Sequence, residues 1–290
     1  MEIQWPLIIF TLCICLSSGT FSCLGLLNML NKGQKLQVSA TIVTMVGLVV
    51  GGAASFLHLQ HAERLFNGFG HITSGITQEL IGIAILFVLA IVYLVLARKG
   101  NVPKWLSVVT LVFGLAMVLV MANSYAMPAR PVWGTPLLLL FYLAQAVAAG
   151  GATIWLLAAF CKCDEAIQLS ARVTAIGGIL VVVSLAAYAG YIASISLPAV
   201  DFYIDPTDPT KQIAATSGFG NELVGGSLAS YFWSSLIIGG AIAAVLGLLR
   251  WMRTDNPLPF AAIALVCVLA GGFVFRVALY ILGVSAFVFY

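Results

Sequence analysis

The sequence predicts an all-α integral membrane protein, an eight-transmembrane-helix bundle, from its composition and from the length of its apolar runs. Only 8% of the 290 residues are charged, 62% are hydrophobic, and the mean hydropathy is +1.09. Soluble domains carry about 25% charged residues. Runs of about 20 apolar residues, enough to cross a hydrocarbon core near 30 Å, recur along the chain. This pattern excludes a soluble enzyme.

Each run is continuously apolar, which favours helices over the alternating strands of a membrane barrel. The first run is longer than a signal-peptide core and has no basic segment before it, so it is expected to be a retained span. The longest connection, residues 197–222, leaves no room for a soluble domain. We therefore treat residues 1–290 as a single transmembrane domain, with spans at about 6–30, 37–58, 77–97, 105–125, 135–160, 169–196, 223–249 and 258–287.

The lysines and arginines between spans predict the orientation. Nine of them fall in or beside the odd-numbered loops and three, Arg64, Arg130 and Lys211, in the even-numbered ones. Because short loops rich in lysine and arginine stay in the cytoplasm, we expect both termini outside. The loop after the second span, which carries His61 and His71, is then also on the outer, periplasmic side.

The ionisable residues most relevant to function flank that outer loop. His58 ends the second span and Glu79 opens the third, so a hairpin would bring them to the same depth. A neutral imidazole and a carboxylate can both accept protons, which oxidation of a quinol requires. The structural alternatives are an interfacial histidine for His58 and, for Glu79, an acid that the helix dipole favours in a first turn.

Arg276 lies in the eighth span, outward of its midpoint, with about ten apolar residues after it. An unpaired arginine there would cost at least about 2.5–3.5 kcal/mol, so it should face the bundle interior and meet an acid or a ligand oxygen. Glu79 is the expected partner, in a structural ion pair or in a site that positions a ligand. Arg64 in the loop is a solvated or partner-facing charge.

The chain has no evident cofactor site of its own. A haem held by two histidines needs both at one depth on facing helices, and only His58 is placed within a span. Cys161 and Cys163 give two ligands, too few for a zinc or iron–sulfur site. The sequence therefore predicts no haem and no metal, and any electrons leaving this chain must pass to a carrier in another one.

The order and spacing of several short motifs resemble the membrane-anchor subunits of dimethyl sulfoxide reductase, of the complex iron–sulfur molybdoenzyme family. The resemblance runs nearly end to end. It is carried by Trp5-Pro6-Leu7-Ile8-Ile9-Phe10, Leu57-His58-Leu59, Arg64, Asn67, Ser74, Glu79, Trp133, Thr135-Pro136, Gly271-Gly272, Arg276 and Tyr280.

The resemblance implies a menaquinol site in which His58 and Glu79 accept protons. From their positions in the chain, we expect Arg276 and Arg64 to position the ligand or its acceptor, and Tyr125, Trp133 and Tyr280 are candidates for the pocket wall. It also implies two partner subunits on the outer face: a four-cluster, ferredoxin-like iron–sulfur subunit and a molybdopterin catalytic subunit. The protein would then sit in the cytoplasmic membrane of a prokaryote and pass electrons from menaquinol to the iron–sulfur subunit, with protons released outside.

Two departures from the family pattern concern the same site. Gln60 and Ala62 stand where the family usually has Gly and Pro, and Tyr231-Phe232-Trp233 occupies a region where it often has an arginine. No arginine role is therefore transferred there. Three alternatives stay open: the same pocket reducing quinone for a partner dehydrogenase, a multispan transporter, and a purely structural tether in the lipid bilayer.

Overall fold

The computed structural model describes residues 3–58, 70–127, 130–195, 219–252 and 257–283. In these ranges the regular structure is helical throughout, and eight helices are long and apolar enough to cross a membrane. The predicted all-α, eight-span fold is therefore confirmed. The first six spans are α1 (Trp5–Met29), α2 (Gln37–His58), α3 (Gly75–Arg98), α4 (Lys104–Ser124), α5 (Pro136–Phe160) and α6 (Asp164–Ser194).

The seventh span begins later than its apolar run. A short helix, α7 (Phe219–Val224), ends at the glycine pair 225–226, and the span starts at α8 (Ala229–Ser234). Glu222 holds the intervening turn, because its carboxylate accepts from Ser227 N at 3.2 Å and Ser227 Oγ at 2.7 Å. The span continues through a π-helical segment, Ser235–Ile242, into α9 (Ala243–Met252).

Two other span ends differ from the limits of their apolar runs, and polar residues lie at both of them. α6 starts at Asp164 rather than near 169, because Asp164 and Glu165 occupy its first turn, where the helix dipole favours acids. The last span, α10 (Pro257–Leu282), stops before residue 287. Its final carbonyls are occupied by side chains: Trp133 Nε1 donates to Leu279 O at 2.9 Å and Arg130 to Gly283 O at 3.3 Å.

α1 and α5 form the centre of the bundle. In each, 72% of the apolar window is buried inside the protein, against 17% for the peripheral α3. Small residues allow the two backbones to touch: a Cβ built on Gly150 of α5 would overlap the carbonyl group of Gly19 in α1. Close backbone approach is the usual basis of helix association in lipid, where apolar burial gives no net drive.

Consecutive spans run in alternating directions, so the bundle has two ends. We call the end at which α1 begins the N-terminal face. The described residues 70–74, 130–135 and 225–228 lie at this face, and the charge pattern predicts that it is the outer one. The ends of α2, α4 and α6 and the starts of α3 and α5 therefore approach one another there, and the candidate site is built from them.

Candidate functional site

Glu79 lies buried near the N-terminal face. It is the fifth residue of α3, and its side chain is 8% exposed. Its carboxylate accepts a hydrogen bond from Ser124 Oγ, at the last residue of α4. The helices meet closely because α3 begins with Gly75, where a Cβ would lie 2.7 Å from the Cβ of Ser124. The apolar pattern predicted this depth for Glu79 but contained no indication of Ser124.

An apolar cleft opens on the other side of Glu79, between α1, α2 and α3. Its cavity volume is about 110 Å³, which is smaller than the roughly 300–1,000 Å³ of complete small-molecule sites. Of the described residues that line it, Glu79 alone is ionisable. The others are Phe10 of α1, Gly52, Ser55 and Phe56 of α2, and Ile76, Leu80 and Ile83 of α3. A carboxylate at the wall of an otherwise apolar cleft is suited to a flat, apolar ligand with a polar oxygen.

The outer loop that carries the other predicted ligand-binding residues is only partly described. His58 is the last residue of α2 and follows Ser55, a cleft residue, by three positions. Arg64 and His61 lie outside the described residues. His71 precedes α3, in the connection at the N-terminal face.

Tyr125, Trp133 and Tyr280 are not among the described residues that line the cleft. They form an aromatic cluster with Tyr142, between the end of α4, the start of α5 and the end of α10. Ring centroids lie 6.3 Å apart for Tyr125 and Trp133, 6.4 Å for Tyr125 and Tyr142, and 5.3 Å for Trp133 and Tyr280. Tyr125 follows Ser124 directly in the chain, and its charge interacts with that of Glu79, so the cluster lies near the carboxylate.

Tyr125 is a neutral hydroxyl in this setting. It lies one residue beyond α4, and burial, reinforced by Tyr280, Glu79 and Tyr142, raises the pKa of Tyr125 well above its ordinary value. The field of Arg276 opposes this rise without cancelling it. Tyr125 can therefore donate or accept hydrogen bonds near Glu79 but does not compete with it as an anion.

Hydrogen bonds from side chains of α6 hold residues 131 and 132, between α4 and α5, next to this cluster. The hydroxyl of Tyr188 donates to Val132 O at 3.0 Å and that of Tyr191 to Pro131 O at 3.1 Å. The guanidinium carbon of Arg130 lies 4.6 Å from the ring centroid of Trp133, a cation–π distance. These contacts from α6, together with the Trp133 bond to α10, close the N-terminal face over the aromatic cluster.

Arg276 is buried, as expected, but its partners differ from the prediction. Nε donates to Thr11 Oγ1 at 2.7 Å, Nη1 to Gln145 Oε1 and Gly272 O, and Nη2 to Thr11 O and Cys15 Sγ. Every N–H therefore has an acceptor on α1, α5 or α10.

The expected ion pair between Arg276 and Glu79 is thus wrong. α10 ends six residues after Arg276, about 9 Å along the helix, so the arginine lies nearer the interface than its apolar run indicated. It is nevertheless 1% exposed, because α1 and α5 enclose it. The ring of Tyr142 lies 4.8 Å from its guanidinium carbon and helps to balance the charge.

Three residues at this site went unassigned in the sequence. They are Ser124, Thr11 and Tyr142, and all three lie in apolar spans. Their shared feature in the sequence is a position near the N-terminal face, at the depth of Glu79 or Arg276. In the parts of the chain that the structure describes, no group of three His, Cys, Asp or Glu side chains could hold a metal ion.

Comparison with known proteins assigns the chain to a family. The family model for the DMSO reductase anchor subunit (DmsC) matches residues 1–282. A search of curated proteins gave no significant match. The matched region contains all eight spans, the cleft and the buried arginine. The chain therefore belongs to the DmsC family, the multi-pass membrane anchors of DMSO reductase, which associate with molybdoenzyme catalytic and iron–sulfur subunits.

Proposed function

We propose that the protein oxidises menaquinol at the cleft between α1, α2 and α3 and passes the electrons to an iron–sulfur partner subunit. The observation that carries this proposal is the position of Glu79. Its buried carboxylate is the one ionisable group among the described residues that line an apolar cleft within the bundle. A quinol headgroup needs an acceptor for its hydroxyl proton, and its isoprenoid tail needs an apolar exit to the bilayer.

Glu79 and His58 divide the proton chemistry in this proposal. Oxidation of one quinol releases two protons and two electrons, so two acceptors are needed near the two oxygens. Glu79 accepts one proton. We assign the other proton to His58, which ends α2 one helical turn after the cleft residue Ser55. Arg64, which lies outside the described residues, is assigned to contact with the headgroup or the partner subunit.

Tyr125, Trp133 and Tyr280 form an aromatic cluster near the carboxylate, and Arg276 contacts that cluster through Tyr142. Because all five N–H groups of Arg276 already have protein acceptors, its role is to hold α1, α5 and α10 together rather than to bind quinol oxygen directly. Both protons leave through the N-terminal face, the predicted outer side. The half-reaction then moves no net charge across the membrane.

Photo-crosslinking tests this location without relying on turnover. A menaquinone analogue with a photoreactive group on the ring should label peptides from the end of α2 and the start of α3 in the purified complex. Excess menaquinol should compete the label away. Replacement of Gly190, in α6, with Leu leaves the cleft intact and should keep the labelling. Labelling confined to other spans would contradict the proposed site.

A further inference from the structure

The hydroxyl of Ser124 faces two acceptors at once. Its Oγ lies within hydrogen-bonding distance of Glu79 Oε1 and at 2.8 Å from Met121 O, the carbonyl three residues earlier in α4. A serine hydroxyl carries a single hydrogen and can donate to only one of them at a time. Which acceptor receives that hydrogen depends on the protonation state of Glu79.

Each state of the carboxyl has its own arrangement of the hydroxyl hydrogen. When Glu79 is ionised, Ser124 donates to Oε1, and Met121 O does not receive that hydrogen. When Glu79 is protonated, its own O–H donates to Ser124 Oγ, and Ser124 turns its hydrogen to Met121 O. The heavy atoms stay in place in both cases, and one rotation of the hydroxyl distinguishes them.

We propose that Ser124 is a positioning residue whose hydroxyl switches between Glu79 and Met121 as Glu79 gains and loses a proton. The inference rests on the proposed role of Glu79 as proton acceptor for quinol. The proton moves from the quinol oxygen to Glu79, and later from Glu79 toward the N-terminal face. Ser124 neither gains nor loses a proton in the cycle.

The described groups around Glu79 allow the Ser124 hydroxyl to switch between acceptors without an ion pair to Glu79. Among the described residues, Tyr125 and Tyr142 are titratable groups whose charges interact with Glu79, from the α4 end and from α5, and both are phenols. Arg276 is fully engaged with α1, α5 and α10. Glu79 can therefore change its charge while Tyr125, Tyr142 and Arg276 keep theirs, and Ser124 supplies a hydrogen-bond partner before and after the change.

Infrared difference spectroscopy of the intact complex tests this. The carboxylic C=O band that Glu79→Gln removes reports the protonated state of Glu79. Ser124→Ala should shift the frequency of this band, because the carboxyl O–H loses its acceptor. It should also lower quinol-linked kcat about tenfold with little change in KM, the kinetic equivalent of one hydrogen bond to a charged group. Ser124→Cys, which keeps the side-chain size but has a weak hydrogen-bonding S–H, should shift the band as well.

Ser184→Ala is the matched control. Ser184 is also buried and donates to the carbonyl three residues earlier, Val181 O at 3.0 Å, but it lies in α6. This variant should leave the Glu79 band and kcat unchanged. A band that stays at its wild-type frequency in Ser124→Ala overturns the inference, as does the absence of any carboxylic band that Glu79→Gln removes. Quinol turnover that survives in Glu79→Gln would instead count against the proposed function, so the two failures are distinguishable.

Discussion

Arg276 Nε in the last span donates a 2.7 Å hydrogen bond to Thr11 Oγ1 in the first span. The bond joins residues 265 positions apart inside the apolar part of the bundle. With Gln145 as a further acceptor, the guanidinium connects α1, α5 and α10, and no carboxylate of the described residues takes part. A buried cation satisfied by neutral acceptors depends on the geometry of all of them.

Replacing Arg276 with Lys should destabilise the bundle. An ammonium group has three hydrogens and cannot match the five donors of the guanidinium, so acceptors on Thr11 and Gln145 lose their partners. We expect the free energy of unfolding to fall by about 2 kcal/mol or more. Thermal unfolding in detergent, followed by circular dichroism, measures the loss. Arg98→Ala, at the exposed end of α3, should change it by less than about 0.5 kcal/mol. Equal melting temperatures for Arg276→Lys and the wild type would contradict this role.

Gly150 should tolerate no side chain. A Cβ at this position would overlap the Gly19 backbone, so Gly150→Ala must push α1 and α5 apart. We expect a lower melting temperature and less folded protein in the membrane. At Gly190, in α6, an added Cβ would meet nothing within 4 Å. Gly190→Ala should be neutral or stabilising, by up to about 1 kcal/mol, because alanine favours the helix. The same response in both variants would refute the close α1–α5 contact.

The indole N–H of Trp133 should stabilise the end of α10. Trp133→Phe keeps an aromatic ring but removes the 2.9 Å bond to Leu279 O, leaving a carbonyl near the helix end without that donor. We expect a loss of about 1 kcal/mol and faster hydrogen exchange in the last turn of α10. Trp105→Phe is the control, since Trp105 is 64% exposed at the start of α4. Unchanged exchange in Trp133→Phe would show that the bond contributes nothing to this end of the helix.

The substitution Gly52→Leu should fill the cleft without disturbing the helices. Gly52 lines the cleft, and a Cβ there meets nothing within 4 Å. Gly52→Leu should therefore reduce quinol-linked turnover about tenfold or more by excluding the headgroup, while the melting temperature stays near that of the wild type. Gly190→Leu, which adds the same side chain at another open position, should keep full turnover. If Gly52→Leu binds and oxidises quinol normally, the substrate occupies another place.

Span number and approximate depth could be predicted from this sequence because both depend on apolar length. Glu79 and Arg276 stand out as rare charges in long apolar runs, so each could be selected as a candidate. The length of an apolar run gives no information about the rotation of its helix about the helix axis. Helices that are apolar on all sides give no indication of which face meets which neighbour. The pairing of Arg276 with Glu79 was inferred from depth alone, and depth does not specify lateral contacts.

The other differences have local polar causes. Ser124 is an ordinary small residue at a span end, and it matters because the glycine at position 75 lets α4 approach α3. The seventh span starts late because Glu222 and Ser227 form a turn between two helices that share one apolar run. In both cases the deciding interaction joins two segments, so neither segment shows it when considered separately.

Glu79 is proposed to accept a proton from quinol, and steady-state turnover of the intact complex measures that role. Glu79→Gln preserves size and one hydrogen-bond acceptor but cannot take up the proton. Glu222→Gln, at the exposed turn before α8, is the matched control. We expect Glu79→Gln to lower menaquinol-linked turnover by at least about 100-fold, while the partner's activity with an artificial electron donor and the turnover of Glu222→Gln stay at the wild-type level. Wild-type menaquinol turnover in Glu79→Gln would contradict it.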